Sequence, residues 1–473
     1  MRVAVVSHHK SLGGGSRFVT GLLGGLTQLV GDQISELVLY LHEEAPEKEA
    51  FVVFARENPT LSLKFITDHG GAAESAQTSG RKSGLRERLR QNPGLVAGYR
   101  FLKFTVLRRP QQAATARYVL SAEVLGQLED FDVVYVTWPR LLEPPNIARP
   151  MVATFHDFNQ RHGFAVFSPE ERAFVDAEVT EWLGKNVHPV VSTPFIAEEL
   201  ECFYPERLHS PSVVFLSDFV VREPERSAVE RVVADRNLTG GYLHCPTNVG
   251  PHKNVVRLIR AFGMLRSQGF GLPLVFTGGG TQMIGRDPEN EWLYNTPLKA
   301  SIDAINGAIR DTGLQLGSDF FSLGYVSDQE VDSLVSGATI VVAPSLYEAG
   351  TGPGLDAWRV GTAVAVSAIP PVIEQMSFLG TQAQLFDPED EGDIAAAILA
   401  LAEDPAKRDL MQAVSQVAMR RYTWKQVAEG YVRVFRRAIS AHVGSAQPSS
   451  AVPLRPQNRS DASHNETEVH HGR

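Results

Sequence analysis

At 473 residues the chain exceeds what one hydrophobic core serves, so two domains of roughly 200 residues each are expected. With 43% hydrophobic and 21% charged residues it reads as an ordinary globular protein, and a net charge of -9 argues against wholesale nucleic-acid binding, which needs a strongly basic face. Cys202 and Cys245, far apart and without metal-ligand spacing, exclude a disulfide framework and a zinc site. The opening "MRVAVVSHH" reads as a buried strand rather than a signal peptide, and no run of roughly 18 apolar residues follows, so a cytoplasmic location is expected.

In chain order, short β-branched runs alternate with helical stretches: "VAVVS" near Val3, "ELVLYL" near Leu37, "DVVYVTW" from Asp132, "MVATFHD" from Met151, "PVVSTP" from Pro189 and "SVVFL" from Ser212. After the charged connection "VREPERSAVERVVADRNLTGG" the pattern restarts with "GYLHCPT", "LPLVFTG", "DFFSLGYV", "TIVVAPS", "AVAVSA" and "AQLFDP". Continuous apolar strands separated by helices predict parallel sheets covered on both faces. The expected fold class is therefore α/β, with two doubly wound Rossmann-like domains, 1–220 and 221–440, facing a cleft where ligands bind at strand carboxyl ends.

Two segments depart from the pattern. Residues 67–112 start small and polar and turn basic, predicting a variable insertion whose cationic stretch 81–109, with nine Lys or Arg against the single acid Glu87, could touch an anionic membrane surface or simply be a solvated loop. Residues 441–473 hold few large apolar side chains and are expected to be a disordered tail.

The stretch "PSLYEAGTGPGLDAWRVGTAVAVS", residues 344–367, carries the sharpest chemistry. Gly350, Gly352 and Gly354 let the backbone turn after the strand "TIVVAP", and Pro353 suits the first turn of a helix. Free N–H groups at that helix start, with Gly350, Thr351, Gly352 and Gly354 around them, would seat a phosphate, while Glu348 and Asp356 would accept hydrogen bonds from hydroxyls on either side. The alternative is that Asp356 complements the helix dipole and Glu348 is a solvated loop acid. Lys253, in "PTNVGPHKNVV", is a point charge suited to a diphosphate or a solvated loop lysine. Gly14 and Gly15 in "SLGGGSRF" permit close backbone approach or a plain tight turn, and lack the spacing of a Walker loop or dinucleotide fingerprint.

These residues resemble the GT-B-fold retaining glycosyltransferases of family four, also called glycosyl transferases group 1. The likeness covers most of 1–440, strongest from Gly241 to Pro388, with Asp356 in place of the usual Glu and "EAGTGPG" in place of "EGFGLP". It implies that Glu348 contacts the donor sugar, Asp356 the ribose and Lys253 the diphosphate, and that Asn248 stands where the family has Arg. By the same resemblance His156, at the end of "MVATFHD", reaches the donor sugar from the first domain, Gly14 and Gly15 form the first loop, Gly279 of "VFTGGGTQ" lies beside the nucleotide, and "YTWKQVAEGYVRVF" crosses back to the first domain through Trp424 and Tyr431. Taken from strand-end chemistry alone, His156 is equally a histidine satisfied by a local hydrogen bond, and Gly279 part of a plain turn.

The function so implied is transfer of a hexose, of mannose or glucose type, from a nucleotide diphosphate sugar to an acceptor hydroxyl of a saccharide or lipid-linked saccharide, with retention, in cell-surface polysaccharide or glycolipid synthesis. No carboxylate cluster stands out, so no metal and no cofactor beyond the nucleotide sugar is expected, and no nucleic-acid partner. The alternatives are another GT-B chemistry, a phosphorylase or nucleotide-sugar epimerase, or a catalytically idle nucleotide-sugar-binding protein.

Overall fold

The computed structural model describes residues 1–8, 14–45, 48–67, 117–163, 167–220, 223–286 and 298–446. Two parallel sheets organise it. The first runs through β1 (Arg2–Ser7), β2 (Glu36–His42), β3 (Leu61–Ile66), β4 (Val133–Val136), β5 (Met151–Thr154), β6 (Val187–Val191) and β7 (Ser212–Val213), in spatial order β3-β2-β1-β4-β5-β6-β7. The second holds β8 (Leu243–Pro246), β9 (Leu274–Thr277), β10 (Phe320–Ser322), β11 (Ile340–Ala343), β12 (Ala363–Ser367) and β13 (Gln384–Phe386), ordered β10-β9-β8-β11-β12-β13. Strands such as β4, β5, β9 and β11 are buried along their whole length, as helices on both faces require.

Each sheet reverses its strand order once, between β1 and β4 and between β8 and β11. Loops leaving those strands diverge and open a crevice at the carboxyl ends. The two sets of carboxyl ends meet. Tyr347, beyond β11, accepts from the Phe158 amide beyond β5 at 2.9 Å and donates to Glu199 Oε2 at 2.7 Å. Ser192, beyond β6, donates to the Ala349 carbonyl at 2.7 Å, and the Phe195 amide donates to Glu374 at 2.9 Å.

The helix Trp424–Ala446 packs against the first sheet's side of the molecule, contributing Val427, Ala428, Tyr431, Val432, Phe435 and Ala438 to the core built on β1 and β2. It crosses the helix Gly14–Thr27 so closely that a Cβ on Gly21 would lie 2.2 Å from Trp424 Cε2, and one on Gly25 2.0 Å from the Trp424 carbonyl oxygen. Only glycine permits that approach.

Within the charged connection the helix Arg226–Asp235 forms, and its Val232 and Val233 pack with Leu238, Tyr242 and Leu334 of the second unit. The helix Trp424–Ala446 continues past residue 440, into the segment expected to be a tail, because alternating apolar residues up to Ile439 keep it docked. The sequence reading missed β3. The basic stretch 81–109 and the tail beyond residue 446 lie outside the described residues.

Candidate functional site

The site grows from the β8/β11 reversal. Beyond β8 the chain makes a single 3-10 turn, Pro251–Lys253, and ends it on Asn254 in the left-handed region, φ 58°. The buried Asn254 amide nitrogen donates to the carbonyls of Pro344 at 3.0 Å and Pro388 at 2.7 Å, while the Leu346 amide donates to the His252 carbonyl at 2.8 Å. These bonds sew the β8 loop to the β11 loop. That is why Lys253 and Glu348 meet across 95 residues: Lys253 Nζ donates to Glu348 Oε1, and Ser345 Oγ donates to the same oxygen at 2.7 Å.

Burial pushes the Glu348 carboxyl up, but the charges of Lys253 and His252 and the hydrogen bonds from Lys253 and Ser345 outweigh it and hold Glu348 below the usual carboxylate range. Burial, reinforced by the neighbouring Lys253 charge, keeps His252 below its ordinary value, against opposing pulls from Glu348 and Asp157. Lys253 and Glu348 line a hollow with Thr247, Ser345, Thr351 and Ser367.

A helix N-terminus opens on the same hollow. Thr351 caps the helix Gly352–Val360, accepting from the Gly354 amide at 3.1 Å, and its own amide donates to Gln375 Oε1 at 2.8 Å. Gly350 sits at φ 140°, and a Cβ there would meet the Gln375 side chain at 3.0 Å. Cap, proline and glycine thus fix the direction of the helix, whose first N–H groups and positive dipole end suit an anion beside Lys253.

The other candidates fall elsewhere. Asp356, expected at the hydroxyl-bearing end of a ligand, does not line the hollow. It is 3% exposed, accepts from the Phe219 amide at 2.7 Å and pairs with Arg17 of the helix Gly14–Thr27, Nη1 to Oδ2 3.2 Å. Arg17 also pairs with Asp332 at 3.3 Å and Asp328 at 3.6 Å and donates to the Phe219 carbonyl. Asn248 is exposed and its side chain closes a turn on the Gly250 amide at 2.8 Å, so it brings no charge. Gly279 has open space where a Cβ would be. Its neighbour Gly278, at φ 119°, needs glycine because a Cβ would lie 1.9 Å from the Thr247 carbonyl oxygen. His156 stands edge-on between Phe18, 4.8 Å away, and Trp138, 6.1 Å away; its Nε2 is buried without a hydrogen-bond partner among the described residues, and burial lowers its pKa. Gly14 and Gly15 begin the first helix, and the loop before them lies outside the described residues.

Sequence reasoning missed Arg17, Ser345 and Tyr347. Arg17 carries no local signal, because its partners are contributed by distant segments. Tyr347 and Ser345 were visible in "PSLYE", but nothing in their spacing separates a domain contact from core. Among the described residues no group of three or more His, Cys, Asp or Glu is arranged to hold a metal ion.

Two doubly wound parallel sheets whose strand carboxyl ends meet, with a second-domain hollow at the strand reversal, define a GT-B protein. Residues 231–416 match the family described as glycosyl transferases group 1. It is 24% identical over 353 residues to the O-antigen chain mannosyltransferase B of Escherichia coli, covering 74% of this chain and 81% of that one. Among solved structures, Anabaena HepE, in complex with UDP and glucose, superposes with a TM-score of 0.59 at 12% identity over 92% of this chain and 100% of its own. Sucrose-phosphate synthase from Thermosynechococcus elongatus gives 0.55 at 15% identity, over 93% and 99% respectively.

Proposed function

We propose that this glycosyltransferase moves a hexose from a nucleotide diphosphate sugar to an acceptor hydroxyl with retention of configuration, and that the hexose is mannose. The observation that carries the reading is the Lys253–Glu348–Ser345 cluster beside the start of the helix Gly352–Val360. As the glycosidic bond breaks, negative charge grows on the leaving diphosphate. Lys253 and the helix N–H groups are fixed donors for that charge, held in place before the ligand arrives. Glu348, kept ionised and oriented by Ser345, is an acceptor for sugar hydroxyls once the diphosphate takes over Lys253. Mannose is favoured because the Escherichia coli relative is an O-antigen chain mannosyltransferase. The acceptor on this reading is a saccharide or lipid-linked saccharide of a surface polysaccharide, met in the cytoplasm.

The test is turnover of a panel of UDP, GDP and ADP hexoses, with Lys253→Ala and Glu348→Ala beside the unaltered chain. Each substitution is expected to lower kcat/KM by about 10²–10³, the cost of removing one fixed charge-stabilising donor or its orienting partner. Product anomers read by NMR should keep the donor configuration, and EDTA should leave the rate unchanged. Unaltered rates in both variants would remove the proposal.

A binding protein without turnover is the second reading, favoured by one observation: Asp356 is occupied by Arg17 rather than turned to the hollow. Nucleotide-induced thermal stabilisation with no product from any donor would select it.

A further inference from the structure

The residues lining the Lys253–Glu348 hollow run from Pro246 to Val372, all in the unit built on the second sheet. The segment that carries Glu348 is nevertheless built into the first unit. Tyr347 is buried in the apolar cluster of Phe158, Ile196 and Tyr204, and Ala349 packs against the same cluster. Glu348, between them, lines the hollow. That alternation belongs to an extended segment, whose successive side chains point to opposite sides. The first unit holds one side of the segment and leaves the other to a ligand.

Gly350 follows, and it is the loosest joint of the stretch. At φ 140° it lies where residues with a Cβ rarely go, and glycine by itself leaves such a joint free to swivel. Two side chains pin it. Ser192 Oγ, beyond β6 in the first unit, donates to the Ala349 carbonyl at 2.7 Å. Gln375 Oε1, in the helix Pro370–Leu379 of the second unit, accepts from the Thr351 amide at 2.8 Å. The two peptide groups flanking Gly350 are thus each held by one buried side chain, Ser192 at 4% exposure and Gln375 at 1%. Through Glu374, which accepts from the Phe195 amide at 2.9 Å, the helix bearing Gln375 is itself docked on the first unit.

These pins set the angle between two binding elements. Glu348, before the joint, accepts hydrogen bonds from hydroxyls; the N–H groups that begin the helix Gly352–Val360, after it, seat an anion. Both face one hollow only for one setting of the Gly350 torsions. Neither Ser192 nor Gln375 is among the residues that line the hollow, so each acts through the backbone it holds. A ligand that joins an anionic part to a hydroxyl-bearing part gains from both elements at once when the angle is preset. Where it is not, binding must also freeze the joint, and the second contact is worth less.

We propose that Ser192 and Gln375 are positioning residues that lock the Gly350 joint, so that Glu348 and the start of the helix Gly352–Val360 act together on one nucleotide sugar. The identity of that ligand rests on the hexosyltransferase reading. The test compares the full chain with its Ser192→Ala and Gln375→Met variants by two measurements. Without nucleotide, amide hydrogen exchange across residues 347–354 should quicken by about fivefold or more in each variant. In calorimetry the ratio of GDP-mannose to GDP affinity, or of UDP-glucose to UDP affinity, should fall by about threefold or more, while affinity for the nucleotide diphosphate alone changes by less than about twofold. A side chain serving the fold alone would weaken nucleotide and nucleotide sugar together. Ser192→Ala removes a single oxygen and so stays readable if Gln375→Met does not fold. Unchanged exchange or an unchanged affinity ratio in Ser192→Ala would overturn the proposal. Faster exchange in a chain that binds no nucleotide sugar would uphold the lock and count against the hexosyltransferase reading alone.

Discussion

Arg17 and Asp356 show how far one residue's role depends on partners distant in sequence. Burial pushes the Asp356 carboxyl up to about 6, against the lowering pull of Arg17 and the Phe219 amide; Asp218 adds to the rise. The charged groups around it are Arg17, Asp332 and Asp328, with Asp218 beyond, itself facing Arg359. The value in the folded chain exceeds the ordinary 3.8, so this carboxyl's contribution to stability is full below about 4 and is lost as pH rises through about 6. Asp356→Asn should remove that component: the difference in urea midpoint between variant and unaltered chain is expected to change between pH 4 and 6 and to be flat above 7. A pH-independent difference would show that Arg17 fully compensates the burial.

Lys253 and Glu348 could be chosen from the sequence because each stands at a strand end beside a helix start, a local arrangement with local consequences. Arg17 could not. Its neighbours "GGGS" and "FVTG" describe a glycine loop and a helix, and the acids that use it are set by how two sheets meet.

Among the elements, the crossing of Gly14–Thr27 with Trp424–Ala446 makes the clearest case. Gly25→Ala would drive a methyl into the Trp424 carbonyl and is expected to cost about 1–3 kcal/mol as overpacking. Gly24→Ala, one residue away, meets only Phe54 at 3.9 Å and should be neutral or stabilise by up to about 1 kcal/mol through helix propensity. Chemical denaturation of the two variants separates close approach from propensity.

The predicted strands were legible where burial on both faces leaves an unbroken apolar run, as in "TIVVAP" and "MVATF". β3 was not, because it closes the sheet at its edge: in "LSLKFI" only Leu61 and Ile66 are buried, so the run is broken by exposed Ser62, Lys64 and Phe65 or half-exposed Leu63. The helix Arg226–Asp235 escaped for a related reason. None of its residues is fully buried, and its charge made it look like a tether although its half-buried valines pack on the second unit.

For the whole molecule, Tyr347 ties the two sheets together where their strand ends meet, bonding both the Phe158 amide and Glu199. Its ring lies 4.1 Å from that of His162, which also bonds Glu199 at 2.7 Å. Tyr347→Phe keeps the packing but strands the Phe158 amide and Glu199 Oε2, at an expected cost of about 1–3 kcal/mol. Since residue 347 adjoins Glu348, the variant should also lower kcat for the proposed hexose transfer while nucleotide affinity, read by calorimetry, changes less than threefold. An equal fall in both would mean the hydroxyl supports folding alone.

The docking of Trp424–Ala446 has a temporal meaning too. During synthesis, β1 to β7 and their helices emerge with the seat of Val427, Tyr431 and Phe435 still empty, and that apolar face stays wet until the entire second sheet has been translated. Ribosome-bound chains halted before residue 424 should accordingly recruit holdase chaperones and yield to protease, and release of the remaining helix should end both.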